Sequence, residues 1–167
     1  GDALGPTLSL RGLDNATYYR LDPGDAARYV DDAGTGNTLA LERPGPMRLA
    51  LDVLRYYAAH AGVDGFRLDL AVTLARRDGA FDPDTPLLRE IAEDPLLREL
   101  KFVAEPWDLG PGGYRLGAFP DSWGEWNDRY RDDVRRFWRG EPAHVGRLAT
   151  RLAGSADTFG APRRRPS

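Results

Sequence analysis

Two brief apolar runs in this chain each end on a carboxylate: Val63-Asp64-Gly65-Phe66-Arg67-Leu68-Asp69, and Phe102-Val103-Ala104-Glu105 followed by Pro106-Trp107-Asp108. Alternation of apolar and polar side chains predicts strands over 63–69 and 102–105. Pro44-Gly45-Pro46 opens a helix in which Leu51, Leu54, Tyr57 and Ala58 recur at three- and four-residue steps, and Gly62 closes it. A turn over 81–86 precedes a helix over about 87–97. A short segment near 123–127 fits a third strand, and 131–138 and 143–152 carry helical spacing. Residues 1–45, rich in Gly, Pro, Asp and Asn, hold no period and read as loop. Gly110-Pro111-Gly112-Gly113 and Phe119-Pro120-Asp121-Ser122 also read as loop, and the tail Arg163-Arg164-Arg165-Pro166-Ser167 has no structural signal.

The order is helix, strand, helix, strand, strand, helix. That alternation predicts an α/β fold with parallel strands joined by helical crossovers. Ligands of such sheets sit at the carboxyl ends of the strands, where both acids fall.

Composition narrows the field. With 167 residues, 41% hydrophobic and 29% charged, the chain suits one globular domain. Its net charge of -3 disfavours nucleic acid as a partner. No apolar stretch approaches the ~20 residues that span a bilayer, so no membrane role is expected. Only Lys101 among 23 basic residues is a lysine, which reads as a coding bias. There is no cysteine, so disulfides and thiolate metal sites are excluded. The start Gly1-Asp2-Ala3-Leu4-Gly5-Pro6 lacks the pattern of a signal peptide, and the chain does not begin with Met, which reads as a chain either processed or cut from something longer.

Arg67 and Asp69 share one face of their strand, opposite Phe66 and Leu68. Such a pair is either a structural ion pair or a nucleophile held ionised by its arginine. Glu105 ends the neighbouring strand and favours the second reading. Pro106 turns the chain there, Trp107 offers a flat platform for a sugar ring, and Asp108 is placed to bind hydroxyls. Two carboxyl groups on adjacent parallel strands suit a retaining glycosidase, which needs them about 5–5.5 Å apart. Glu105 would serve as proton donor with its pKa raised by burial beside Asp69. No metal or cofactor is expected.

Weaker features read as structure. Gly34-Thr35-Gly36-Asn37-Thr38 lacks the strand and the Gly-Lys-Ser/Thr of a phosphate loop and reads as a turn or a loop lining the cleft. His60 and His144 stand without metal spacing, and surface or helix-end roles are expected. No Gly-x-Ser-x-Gly elbow is present. Asn15-Ala16-Thr17 fits a glycosylation acceptor, without a secretory signal to give it meaning. Trp126, Tyr130, Phe137 and Trp138 read as core and helix-packing residues.

The segments Gly65-Phe66-Arg67-Leu68-Asp69-Leu70-Ala71 and Ala104-Glu105-Pro106-Trp107-Asp108 resemble the second and third signature regions of the α-amylase superfamily. Gly5-Pro6-Thr7-Leu8-Ser9, Asp14-Asn15-Ala16-Thr17-Tyr18-Tyr19, Gly34-Thr35-Gly36-Asn37-Thr38-Leu39 and the run from Gly110 to Gly140 are similar to bacterial glycogen debranching enzymes of the isoamylase type. The resemblance covers nearly the whole chain. It implies a partial (β/α)8 TIM barrel, approximately strands 4–6 with flanking helices and truncated at both ends, so that 1–167 would be the central part of the catalytic domain. It implies a cytoplasmic hydrolase of α-1,6 branch linkages in glycogen or branched maltodextrin, with Asp69 as nucleophile, Arg67 as its partner and Glu105 as general acid/base. The family's first signature region, an Asp with an Asn-His pair, and its fourth, a His-Asp pair, are not within the 167 residues. Ala40 stands where the family usually has Asn. The isolated chain is therefore expected to be inactive. An isoamylase, a trehalose-releasing relative, and a non-catalytic glucan-binding remnant that uses Trp107 remain as alternatives.

Overall fold

The computed structural model describes residues 9–160; Gly1-Asp2-Ala3-Leu4-Gly5-Pro6, Thr7, Leu8 and the tail Arg163-Arg164-Arg165-Pro166-Ser167 lie outside the described residues. In chain order the elements are α1 (Leu10–Tyr18), β1 (Leu21–Asp22), β2 (Asp25–Tyr29), α2 (Pro44–Tyr56), β3 (Gly65–Leu68), β4 (Arg76–Arg77), β5 (Ala80–Phe81), α3 (Pro86–Glu93), β6 (Lys101–Ala104), β7 (Gly124–Glu125), α4 (Asp128–Trp138), α5 (Val145–Leu152) and α6 (Ala156–Phe159).

Most of this order follows the hydrophobic pattern. Pro44 starts α2, where a missing N–H costs nothing. The helix runs on through a π-helical turn over Tyr57–Ala61 and stops at Gly62, whose φ of 64° suits glycine. Asp94 precedes Pro95 and is kept extended, so α3 ends at Glu93 and the expected helix to 97 breaks. The Asp94 carboxylate accepts the N–H groups of Leu96 and Leu97, at 2.9 Å each, and starts a separate 3-10 turn over Leu97–Glu99. Asn127 caps α4 by accepting the N–H of Tyr130 at 3.0 Å, which moves the helix start ahead of the expected 131.

Residues 10–29 depart from the expected loop. They form α1 and an antiparallel hairpin of β1 and β2. None of the residues of α1 is buried, and the helix bends at Asp14, so no buried apolar stripe marks it. Distant groups hold it instead. The Arg43 guanidinium donates to the Ala16 carbonyl, the Tyr29 hydroxyl donates to Asn15 Oδ1 at 2.6 Å, and Tyr19 bridges to Leu39.

The central sheet has the order β3-β6-β7, all parallel. Gly65 allows the pairing of β3 with β6, because a Cβ there would stand 2.2 Å from the Lys101 carbonyl oxygen. One face of the sheet carries Phe66, Phe102 and Ala104 into a core with Val72, Leu88, Ile91, Leu97 and Phe119. Trp123 stacks between Phe102 and Phe119, with ring centroids 5.0 and 5.9 Å away. Beside α2 and α3, Leu39, Leu41, Leu49, Val53, Leu87 and Ile91 wall an apolar groove of about 310 Å³. Among the described residues no helix is long and apolar enough to cross a membrane.

Candidate active site

The register of the three strands builds the site. Arg67 pairs with Val103, and Val103 with Gly124, so these three form one row across the sheet. Side chains in a strand point to the same face every second residue. Two residues further on, the next row of that face is Asp69, Glu105 and Trp126. The ladder extends to this row: Glu105 N–H donates to the Leu68 carbonyl at 3.0 Å, and Trp126 N–H to the Ala104 carbonyl at 2.9 Å. The intervening row, Leu68, Ala104 and Glu125, faces the opposite way.

The Arg67 guanidinium joins the two acids. Its Nη1 donates to Asp69 Oδ1, and its Nη2 lies 3.1 Å from Glu105 Oε2. Glu105 Oε2 also accepts the Leu70 N–H at 2.8 Å, so the carboxylate is fixed from two sides. Glu105 is mostly covered, whereas the Asp69 side chain is 74% exposed. The Arg67–Asp69 pair is thus open to solvent at its Asp69 end. Asp69 stands past the end of β3, on the face of the sheet that also carries Arg67 and Glu105.

Trp107 and Glu105 line a cleft of about 430 Å³, together with Trp126, Asn127, Asp128, Tyr130 and Arg131. Trp126 is 49% exposed, and its ring lies under the Arg67 guanidinium, with Cζ 4.0 Å from the ring centroid. Trp126 and Tyr130 therefore belong to the cleft, contrary to their expected core positions. Trp138 is exposed at the end of α4, while Phe137 is half-buried against it. The signal that was missed for Trp126 is positional. It stands two residues past Gly124, as Asp69 and Glu105 stand two past their own row.

Asp108 is occupied in a way its sequence position does not suggest. Its side chain is fully buried and accepts two parallel hydrogen bonds from Arg76, from Nε at 2.7 Å and from Nη2 at 2.6 Å. It also accepts the Gly110 N–H at 3.0 Å. These bonds push the Arg76 guanidinium above its ordinary pKa, against the opposing effect of burial. Asp32 lies 3.6 Å from Arg76 and 3.7 Å from Arg20, and Arg20 donates to Glu42 at 2.8 Å. Asp108 is thus placed to hold the loop behind Trp107, with its oxygens facing Arg76 and not the cleft. The bend at Gly34-Thr35-Gly36-Asn37-Thr38 feeds the same buried network, since Thr38 Oγ1 accepts the Asp32 N–H at 2.9 Å. His144 stands just before the start of α5, its ring 3.6 Å from Glu141 and 4.0 Å from Asp133.

No protein-family model matches the chain. Over all 167 residues it is 49% identical to a protein of Mycobacterium tuberculosis named glycogen operon protein GlgX homolog, taking in 23% of that protein. Over 158 residues, 95% of the chain, it is 50% identical to the glycogen debranching enzyme of Serratia proteamaculans, again across 23% of the relative. The chain therefore spans about a quarter of the length of the curated relatives it matches. Among solved structures, a pullulanase from Anoxybacillus sp. LM18-11 complexed with maltotriose aligns with a TM-score of 0.67 and 26% identity, over 85% of this chain and 21% of that one. A pullulanase from Bacillus acidopullulyticus aligns with a TM-score of 0.65 and 25% identity, over 85% of this chain and 18% of that one.

Proposed function

We propose that this chain, a relative of the bacterial glycogen debranching enzymes, is the central part of a catalytic (β/α)8 barrel, with β3, β6 and β7 as three consecutive barrel strands. The longer protein would act in the cytoplasm and hydrolyse α-1,6 branch linkages of glycogen or branched maltodextrin with retention of configuration. The observation that carries this reading is the Arg67 guanidinium bridging Asp69 and Glu105 at the carboxyl ends of adjacent parallel strands. One guanidinium touching both carboxylates keeps them close. Close spacing marks retaining glycosidases, at ~5–5.5 Å, against ~6.5–9.5 Å for inverting ones.

In the proposed reaction Asp69 attacks the anomeric carbon while Glu105 gives a proton to the departing glycosidic oxygen, leaving a glycosyl ester on Asp69. Glu105 then takes a proton from water, whose oxygen attacks the same carbon and frees Asp69. Trp107, at the cleft beside Glu105, offers its ring face to the sugar. The share of the relatives that the chain spans supports its being a part of a larger barrel, as does the open apolar groove beside α2 and α3, which another element of that barrel would cover.

The test is hydrolysis of phosphorylase-limit dextrin by the longer protein that carries this sequence, with chain 1–167 as the inactive control. Asp69→Asn and Glu105→Gln should each lower kcat by at least ~10³-fold while substrate binding persists. Ordinary turnover by either variant would remove both residues from the reaction.

A further inference from the structure

Arg67 has more to do than a flexible side chain manages alone. Its guanidinium must present Nη1 to an exposed carboxylate and Nη2 to a covered one at the same time. Hydrogen bonds fix the edge of the group but leave its plane free to tilt. Trp126 supplies the missing constraint: its ring lies beneath the cation, with Cζ 4.0 Å from the ring centroid. The indole is in turn placed by the sheet. Trp126 N–H donates to the Ala104 carbonyl at 2.9 Å, and the preceding residue, Glu125, is buried, with its carboxylate accepting the Gly117 N–H at 2.6 Å. The two strands flanking β6 thus hold the two halves of one clamp.

We propose that Trp126 is a positioning residue, which fixes the plane of the Arg67 guanidinium and through it the relative placement of Asp69 and Glu105. A cation over an indole face is attracted by the ring quadrupole, and an arginine held at ring, carboxylate and carboxylate together has lost its rotational freedom. The kinetic part of this inference rests on the function proposed above. The geometric part does not.

Two measurements separate them. In chain 1–167, nitrogen NMR of the arginine side chains, with Arg67→Lys to assign the signal, should show Arg67 ring-shifted and slow to rotate about Nε–Cζ. Trp126→Phe should retain both signatures, and Trp126→Leu, which keeps apolar bulk but has no π face, should lose both. In the longer protein, Trp126→Leu should lower kcat on limit dextrin about 10- to 100-fold, the scale of a small misplacement of reacting groups, with KM changed less than about threefold. Trp126→Phe should restore kcat to within about threefold of the unaltered protein. Unchanged Arg67 signals in Trp126→Leu would overturn the proposal. So would a raised KM at constant kcat, which would make Trp126 a plain sugar contact. If the unaltered longer protein cleaves no α-1,6 linkage, the proposed function falls, and the nitrogen spectra alone decide the role of Trp126.

Discussion

Removing the Asp108 carboxylate should cost this chain a substantial share of its stability. The Arg76 side chain is 1% exposed, and four of its hydrogen bonds are accounted for: two to Asp108, one to the Gly79 carbonyl and one to the Pro111 carbonyl. In Asp108→Ala the two strongest go, and a cation is left in a site that water does not reach. Breaking a buried pair in this way costs about 3–5 kcal/mol. Asp32, at 3.6 Å, offsets a little of that, so the lower end, about 3 kcal/mol, is expected. Against a total of ~5–15 kcal/mol for a domain, that is roughly a fifth to three fifths of the stability. The assay is urea unfolding of chain 1–167 followed by tryptophan fluorescence. Asp108→Ala should shift the midpoint sharply down. Adding Arg76→Met should recover at least half of the loss, because the unpaired charge goes with it. A single variant within about 1 kcal/mol of the unaltered chain would refute the reasoning, as would a double variant less stable than the single.

Two further predictions bear on the sheet and on pH. Gly65→Ala sets a methyl carbon 2.2 Å from the Lys101 carbonyl oxygen, so β3 must part from β6; circular dichroism melting should fall by several degrees, and an unchanged melt would contradict the described register. Burial works against the Asp94 carboxylate, but the Leu97 N–H, the Arg55 guanidinium and the Leu96 N–H outweigh it and hold its pKa below the ordinary range. The Arg151 guanidinium does the same for Asp157. A group whose native pKa is depressed contributes stability above its unfolded value, near ~3.9, and loses it as pH falls through the native one. The unfolding free energy should therefore drop below about pH 4. Asp94→Asn should flatten that drop while lowering stability at pH 7, and an undiminished slope would count against the assignment.

The parts of this molecule that are legible in its sequence are those where one local cause dominates. Pro44 and Gly62 bracket a helix because a missing N–H and a left-handed backbone are local facts. The strands ending near Asp69 and Glu105 are readable because a carboxylate after an apolar run has few other meanings. The hairpin at 21–29 is not, because its strands alternate in neither polarity nor burial, although Pro23-Gly24 marks its turn and the Asp22 carboxylate accepts the Gly24 N–H at 2.7 Å. Asp108 escaped because Arg76, its partner, is 32 residues away and sits in a two-residue strand without a period. Trp126 escaped because aromatic residues near a helix start are ordinarily core. Its place became visible only when the register of three strands was known.

That register carries a consequence for how such a site can change. Asp69, Glu105 and Trp126 meet because each stands two steps past the row formed by Arg67, Val103 and Gly124. Loss or gain of one residue within Gly65–Leu68 would exchange the two faces of β3. A leucine would then replace Asp69 in the row with Glu105, and the carboxylate would turn toward Phe102 and Ile91. The pleat behaves as a reading frame of period two. Substitutions along these strands are graded in effect, whereas a single-residue indel removes the chemistry and plants a charge in the core in one step.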